Sequence, residues 1–392
     1  MKKLITSILF AFVSFSTMAQ SGYETVLQQI EENNTTLAAL RKQTEAQKLS
    51  NLTGLLPENP EVAFNHLWGK PSYIGNNMDF AVTQTFDFPA VYRHRSKIAR
   101  LQNENIDLPY KTQRTETLLS AKQTCIELVY YNILAKEYEN WLQNARFIAD
   151  AYKIKLEKGE INIIEHNKAH LNLTAVQIEI AQIEAERAVL LAQLKRLNGG
   201  KEIAFSAESY PAAALPQNFE TWYASIESKN PELQYAQKQI DIDMQQIKLT
   251  RAEGFPKFWA GYAGEIERDK SSHGVIVGLS IPLWENRNRV SEAKAQVQAS
   301  EFALKDNKVQ FYNKLQSQYL KASALRQNAQ KFRQSLNEND NKPLLKKALD
   351  AGEISMLDYL SEVEYYYNIM NKVLEAERDF EIAAAQLWAM EL

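Results

Sequence analysis

Cysteine is nearly absent: Cys125 is the one thiol in 392 residues. It cannot close an intrachain disulfide, and its place inside a helical pattern reads it as a small buried apolar side chain rather than a nucleophile. Histidine is scarce too, with five. There is no H-E-x-x-H, no Gly-rich phosphate loop ending in Lys-Ser/Thr and no G-x-S-x-G. The chain is therefore read as a non-enzyme without a cofactor. Beyond residue 19 no run of about 18 apolar residues occurs, which excludes a membrane-spanning helix. Strands that cross a membrane remain open. No basic stripe stands out in a chain of formal net charge −3, which argues against nucleic acid as a partner.

What is present begins with a secretory signal at residues 1–19: Lys2 and Lys3, an apolar stretch from Leu4 to Phe15, and Thr17-Met18-Ala19 as a cleavage site. Gln20, not Cys, follows the expected cut, so no lipid anchor is predicted. The rest is organised by a stretch that occurs twice. Leu156-Glu157-Lys158-Gly159-Glu160-Ile161-Asn162 returns as Leu349-Asp350-Ala351-Gly352-Glu353-Ile354-Ser355. Each copy ends a long helical pattern, turns on a glycine able to take positive φ, and starts another helix on a capping residue. The glycines lie 193 residues apart (352 − 159), as do Pro89 and Pro282 (282 − 89), each closing an alternating apolar run. A tandem duplication follows. The first repeat covers 20–198, the second 219–392, and a Gly-, Pro- and Ala-rich link covers 199–218.

Each repeat opens with helical spacing, continuous over 23–55 in the first. Strand-like alternation comes next. In the first repeat, Val62, Phe64 and His66 share a face opposite Asn65 within 61–69, and then Met78, Phe80, Val82, Phe86 and Phe88 share a face opposite Asp79, Ala81, Thr83, Thr85 and Asp87, with Gln84 the exception; the hairpin spans 61–88. In the second, Phe258, Ala260 and Tyr262 precede a charged loop at Glu267–Ser272, and Val275, Val277, Leu279 and Ile281 follow it; the hairpin spans 257–281. These lengths suit strands with one lipid face and one watery face; each strand taken singly favours a soluble hairpin with one buried face, and two matching hairpins in an exported, helix-rich chain favour a barrel. Trp68, Tyr73, Trp259, Tyr262 and Trp284 are placed near strand ends, as an aromatic girdle would be. After each hairpin a proline opens a long helix. Residues 89–155 would span roughly 100 Å, interrupted at Pro109, with Pro343 breaking its counterpart. Tyr131, Leu134, Tyr138, Trp141, Ala145, Ile148 and Tyr152 step by threes and fours. Leu173, Val176, Ile180, Ile183, Leu190, Leu194 and Leu197 do the same, broken only at Arg187. Both halves, 89–198 and 282–392, thus read as antiparallel coiled-coil hairpins.

Four strands cannot close a barrel, and an open edge in lipid strands costly backbone groups. Closure would need copies of the chain: two would give eight strands and a filled interior, three would give twelve and a lumen, the arrangement favoured here. A periplasmic adaptor or a coiled-coil scaffold without a channel is the alternative. An adaptor would show one hairpin within β-rich flanks, and a scaffold would lack the alternating strands.

The duplicated hairpin-plus-coiled-coil plan, with tips Gly159-Glu160-Ile161-Asn162 and Gly352-Glu353-Ile354-Ser355-Met356-Leu357-Asp358, resembles the TolC family of outer-membrane efflux proteins over essentially the whole mature length. Leu56-Pro57-Glu58-Asn59-Pro60-Glu61 with Gln84-Thr85-Phe86 is similar to the CzcC-like branch that serves heavy-metal efflux. The resemblance implies a mainly α fold with a membrane β-barrel: a homotrimer with a twelve-stranded barrel in outer-membrane lipid and a long helical coiled-coil barrel in the periplasm. It implies a passive exit duct for heavy-metal cations or drugs in a tripartite system. Gly159, Glu160, Ile161, Gly352, Glu353 and Ile354 would dock a periplasmic adaptor, with an inner-membrane pump of the RND type behind it. Acids just past the tip glycines narrow the tunnel in that family. Here Glu165 and Asp358, each six residues beyond its glycine, hold the matching places, while the family's further acid is replaced by Ser361. His166 and His170, four apart, share a helix face and are metal-ligand candidates, read first as exposed polar residues.

Overall fold

The computed structural model describes residues 21–71, 75–211, 213–267, 270–284 and 286–392. The signal segment and Tyr73 lie outside the described residues. In chain order the elements are α1 (Ser21–Asn33), α2 (Thr35–Ser50), β1 (Glu61–Leu67), β2 (Asn77–Phe86), α3 (Pro89–Asn105), α4 (Asp107–Glu157), α5 (Ile163–Leu197), α6 (Phe219–Glu227), α7 (Pro231–Ala252), β3 (Lys257–Glu267), β4 (Lys270–Ser280), α8 (Arg289–Glu338), α9 (Lys342–Asp350) and α10 (Met356–Leu387). They divide into two compact units. One holds residues 36–115 and 218–317; the other holds the residues up to 35, 116–217 and 318–392.

The first unit carries a single antiparallel sheet in the order β1-β2-β3-β4. Hairpins from the two repeats join through β2 and β3, from Asn77 opposite Glu267 to Phe86 opposite Phe258. This register stacks like with like. Val62, Val82, Tyr262 and Val275 form one row, and Phe64 and Phe80 pair in the next. Because side chains alternate across the pleat, one face is apolar. The other carries Asn65, Asp79, Glu265 and Ser272 in one row, and Ala63, Ala81, Ala263 and Gly274 in the next. Among the described residues nothing covers the apolar face: Val62 is 76% exposed, Val275 77% and Val277 74%. At the base of the sheet the Arg95 guanidinium reaches Asp87 Oδ2 at 2.7 Å and Glu253 Oε1 at 3.5 Å, while Lys257 approaches Asp87 Oδ1 at 3.5 Å. This network ties α3, α7 and β3 together. Below it Val91 and Ile98 of α3 pack on Ile242 and Leu249 of α7.

In the second unit the expected seam is the core. Leu134, Tyr138, Trp141, Ala145 and Ile148 of α4 bury against Val176 and Ile183 of α5, flanked by half-buried Tyr131, Tyr152, Leu173 and Ile180. The break at Arg187 is satisfied: its Nε donates to Asn132 Oδ1 at 2.9 Å and its Nη1 to Glu184 at 2.6 Å. α10 completes the cluster from the other repeat with Tyr359, Val363, Tyr367 and Met370. Cys125 is fully buried among Leu118, Leu128, Leu194 and Ile30, and burial pushes its thiol up to about 12, as an inert apolar filler requires.

Four expectations change in detail. The helix expected over 23–55 is interrupted at Asn34, whose side-chain amide donates to the Leu197 carbonyl at 2.8 Å. Pro109 ends α3 at Asn105, because a proline has no N–H for the carbonyl four residues back, and α4 restarts at Asp107. Phe88 caps α3 rather than extending β2. The charged stretch Glu267–Ser272 is largely strand, since β4 begins at Lys270; beyond the apolar band alternation of hydropathy fades, but the backbone ladder continues.

Candidate functional site

The two tip turns are built alike. α4 ends with Gly159 N–H donating to Leu156 O at 2.9 Å and Glu160 N–H to Lys155 O at 2.9 Å. α9 ends with Gly352 N–H to Leu349 O at 3.0 Å and Glu353 N–H to Ala348 O at 2.9 Å. These are paired Schellman closures, and both glycines sit at φ +73°. An alanine at either site would meet no neighbour, so the cost is backbone alone. Gly159→Ala and Gly352→Ala are each expected to cost about 1–2 kcal/mol, read as a lowered thermal midpoint; an unchanged midpoint in both would contradict the assigned turn. Glu160 and Glu353 are exposed on these turns, Ile161 is half-buried, and Ile354 packs against the core.

Each turn feeds a capped helix. Asn162 Oδ1 accepts from Glu165 N–H at 3.0 Å. In the second repeat Ser355 Oγ accepts from Asp358 N–H at 3.2 Å, and Asp358 Oδ2 accepts from Ser355 N–H at 3.2 Å and from Ser355 Oγ at 2.6 Å. This reciprocal pair is a capping box. The bonds from the Ser355 hydroxyl and then from its backbone N–H hold the Asp358 carboxyl below the usual carboxylate range. Asp358 thus has a local structural role that its position six residues past a glycine does not reveal. Glu165, the third residue of α5, lies near Tyr152; burial, and secondarily the Glu165 charge, raise that phenol's pKa.

His166 and His170 do share a face of α5, with ring centroids 6.4 Å apart and planes within 6°. Among the described residues no group of three or more His, Cys, Asp or Glu stands close enough to hold a metal ion. Of the aromatic girdle candidates, Trp68 and Trp284 lie beyond strand ends and are exposed, and Trp259 lies near the start of β3. Tyr262 is mid-strand, opposite Val82 and Val275.

Contacts between the two helical hairpins escaped sequence reading. Trp141 of α4 stacks on Tyr367 of α10 with centroids 4.1 Å apart and planes within 5°. Asn144 donates to Tyr359 Oη at 2.5 Å, and Asn371 to Tyr138 Oη at 2.8 Å. Three- and four-residue spacing marks these faces as apolar, but nothing in it pairs α4 with a helix more than 200 positions later.

Among the described residues the chain thus combines a sheet that has one bare apolar face and one polar face with two coiled-coil hairpins that share a core. Residues 222–390 match the family model described as Outer membrane efflux protein. The chain is 21% identical over 331 residues to the alkaline protease secretion protein AprF of Pseudomonas aeruginosa, a match covering 77% of this chain and 66% of that protein. It therefore spans about two thirds of the length of that curated relative. The fold is similar to crystal structures of CusC (TM-score 0.78, 14% identity, 97% of this chain and 95% of that one) and of the Campylobacter jejuni outer membrane channel CmeC (TM-score 0.73, 14% identity, 99% and 93%). The match to that family model falls in the second half of the chain, and the fold as a whole is TolC-like.

Proposed function

We propose that this chain is one third of a passive outer-membrane exit duct. The observation that carries the reading is the four-stranded sheet whose edges, β1 and β4, have no partner among the described residues and whose apolar face is exposed. In hydrocarbon every unpaired backbone group costs several kcal/mol, so edge must meet edge in a ring of copies. Three copies give twelve strands, with the polar face inward around water and the apolar face outward to lipid. The test is extraction and reconstitution. A trimer that needs detergent and makes pores in bilayers supports the duct; a protein soluble without detergent and silent in bilayers supports the scaffold alternative.

Within that reading the tips, Gly159-Glu160-Ile161 and Gly352-Glu353-Ile354, are the docking points for a periplasmic adaptor coupled to an inner-membrane pump, with the RND type the proposed partner. The cargo class, heavy-metal cations or drugs, follows only from the similarity of short segments; the AprF relative is named for secretion of a protease.

Glu165 and Asp358 are proposed to narrow the closed end, where three copies of each carboxylate around an axis would attract cations and repel anions. Because Asp358 also caps α10, two variants are needed. Asp358→Ala is expected to lower cation selectivity and raise single-channel conductance, whereas Ser355→Ala, which loosens the cap and keeps the charge, leaves selectivity in place. Equal effects from both would reduce Asp358 to a capping residue.

A further inference from the structure

The histidine pair on α5 is used neither by the tip turn nor by the helix cap. Residues four apart stand one above the other on a helix, and here the imidazoles are nearly parallel with centroids 6.4 Å apart. A nitrogen ligand sits 2.0–2.1 Å from a divalent transition ion. Two rings sharing one ion therefore stand up to roughly 6 Å apart, centre to centre, by the same bond lengths. Imidazole lone pairs lie in the ring plane, so the parallel rings do not yet point at one ion; His170 is exposed and His166 half-buried, and rotation about their side-chain torsions turns the two nitrogens toward a shared point. Asn167 supplies an independent feature. Its Oδ1 lies 3.3 Å from His166 Nδ1, and an amide oxygen can only accept, which places the proton on Nδ1 and leaves the Nε2 lone pair outward. Fixing a ligand tautomer through the second ring nitrogen is the usual outer-sphere support of a metal-binding histidine.

We infer that His166 and His170 form a two-histidine site for a nitrogen-preferring divalent transition cation of the Cu²⁺, Ni²⁺, Zn²⁺ class, oriented by Asn167. No third protein ligand stands nearby among the described residues, so water fills the remaining positions and the ion exchanges readily. Weak, exchangeable coordination suits contact with passing cargo better than a resident cofactor. The site itself holds whether or not the duct reading does.

The probe is Cu²⁺, which binds most tightly among these ions. It is added to tag-free, full-length protein in detergent and followed by electron paramagnetic resonance. The expected result is one Cu²⁺ per chain with hyperfine structure from two imidazole nitrogens. His166→Ala and His170→Ala should each weaken binding by roughly tenfold or more, the scale at which even outer-sphere partners act, and Asn167→Ala by a smaller factor. The three side chains lie outside the buried core, so the circular dichroism melt should not move. His66, His94 and His273 lie on other elements. If the double variant His166→Ala/His170→Ala binds Cu²⁺ like the parent, or the parent takes up none, the inference is overturned.

Discussion

Trp141→Ala is expected to destabilise the helical unit by about 3–5 kcal/mol, the range for truncating a buried large aromatic. Trp141 is 9% exposed and packs between Tyr138 and Tyr367. Its stack on Tyr367 should contribute about 0.5–1.5 kcal/mol beyond the area it buries. It joins a helix of the first repeat to a helix of the second, so its loss also slackens the neighbouring hydrogen bonds from Asn144 to Tyr359 and from Asn371 to Tyr138. Phe147 lies on the same helix but is 61% exposed. Phe147→Ala should therefore stay within about 0.5 kcal/mol, as surface substitutions do. Thermal midpoints of both variants in one detergent decide the matter. Equal shifts would mean that the α4–α10 stack contributes no more than an exposed ring.

The contrast between these two aromatic positions also marks how far the sequence could be read. Periodicity identified both seams of the coiled coils because each helix repeats its apolar residues every three or four places. Trp141 was legible as a core residue on that basis, yet Tyr367, its partner, was not, because a period names a face and leaves its neighbour unnamed. The same limit applies to the sheet. Alternation sorted Val82 from Thr83, but the pairing of β2 with β3 joins residues about 180 positions apart, beyond the reach of any local signal. The tip glycines were readable because positive φ is a demand that few residues meet. The spacing of Asp358 from its glycine marks it as a lining charge. A serine three residues before an acid is also the signature of a capping box, and Ser355-x-x-Asp358 carries it in plain view. The break at Asn34 has a local signal, since asparagine favours caps over helix interiors and Asn33-Asn34-Thr35 echoes the helix restart at Asn230-Pro231-Glu232; its tertiary bond to Leu197 O fixes the interruption.

Val275→Arg should block assembly in the membrane. Val275 lies midway along β4, beside Tyr262 and in the same row as Val82 and Val62, so it stands near the centre of the apolar band. A basic residue on the lipid face of a barrel near the midplane costs about 2–4 kcal/mol, and in a trimer three copies carry that cost. Ser272→Arg puts the same side chain on the same strand, two rows from the last pair of the hairpin and on the polar face, where Glu265 is directly opposite. There an arginine meets water and an opposite charge, and cross-strand pairs of opposite sign are mildly favourable. Insertion into lipid vesicles as a trimer should thus be lost or sharply reduced for Val275→Arg and retained for Ser272→Arg. The reverse ordering would turn the sheet inside out and place the row of Asn65, Asp79, Glu265 and Ser272 toward lipid, an arrangement that desolvates two carboxylates per chain. Equal tolerance of both substitutions would remove the lipid boundary altogether, leaving the bare apolar face to be covered by protein.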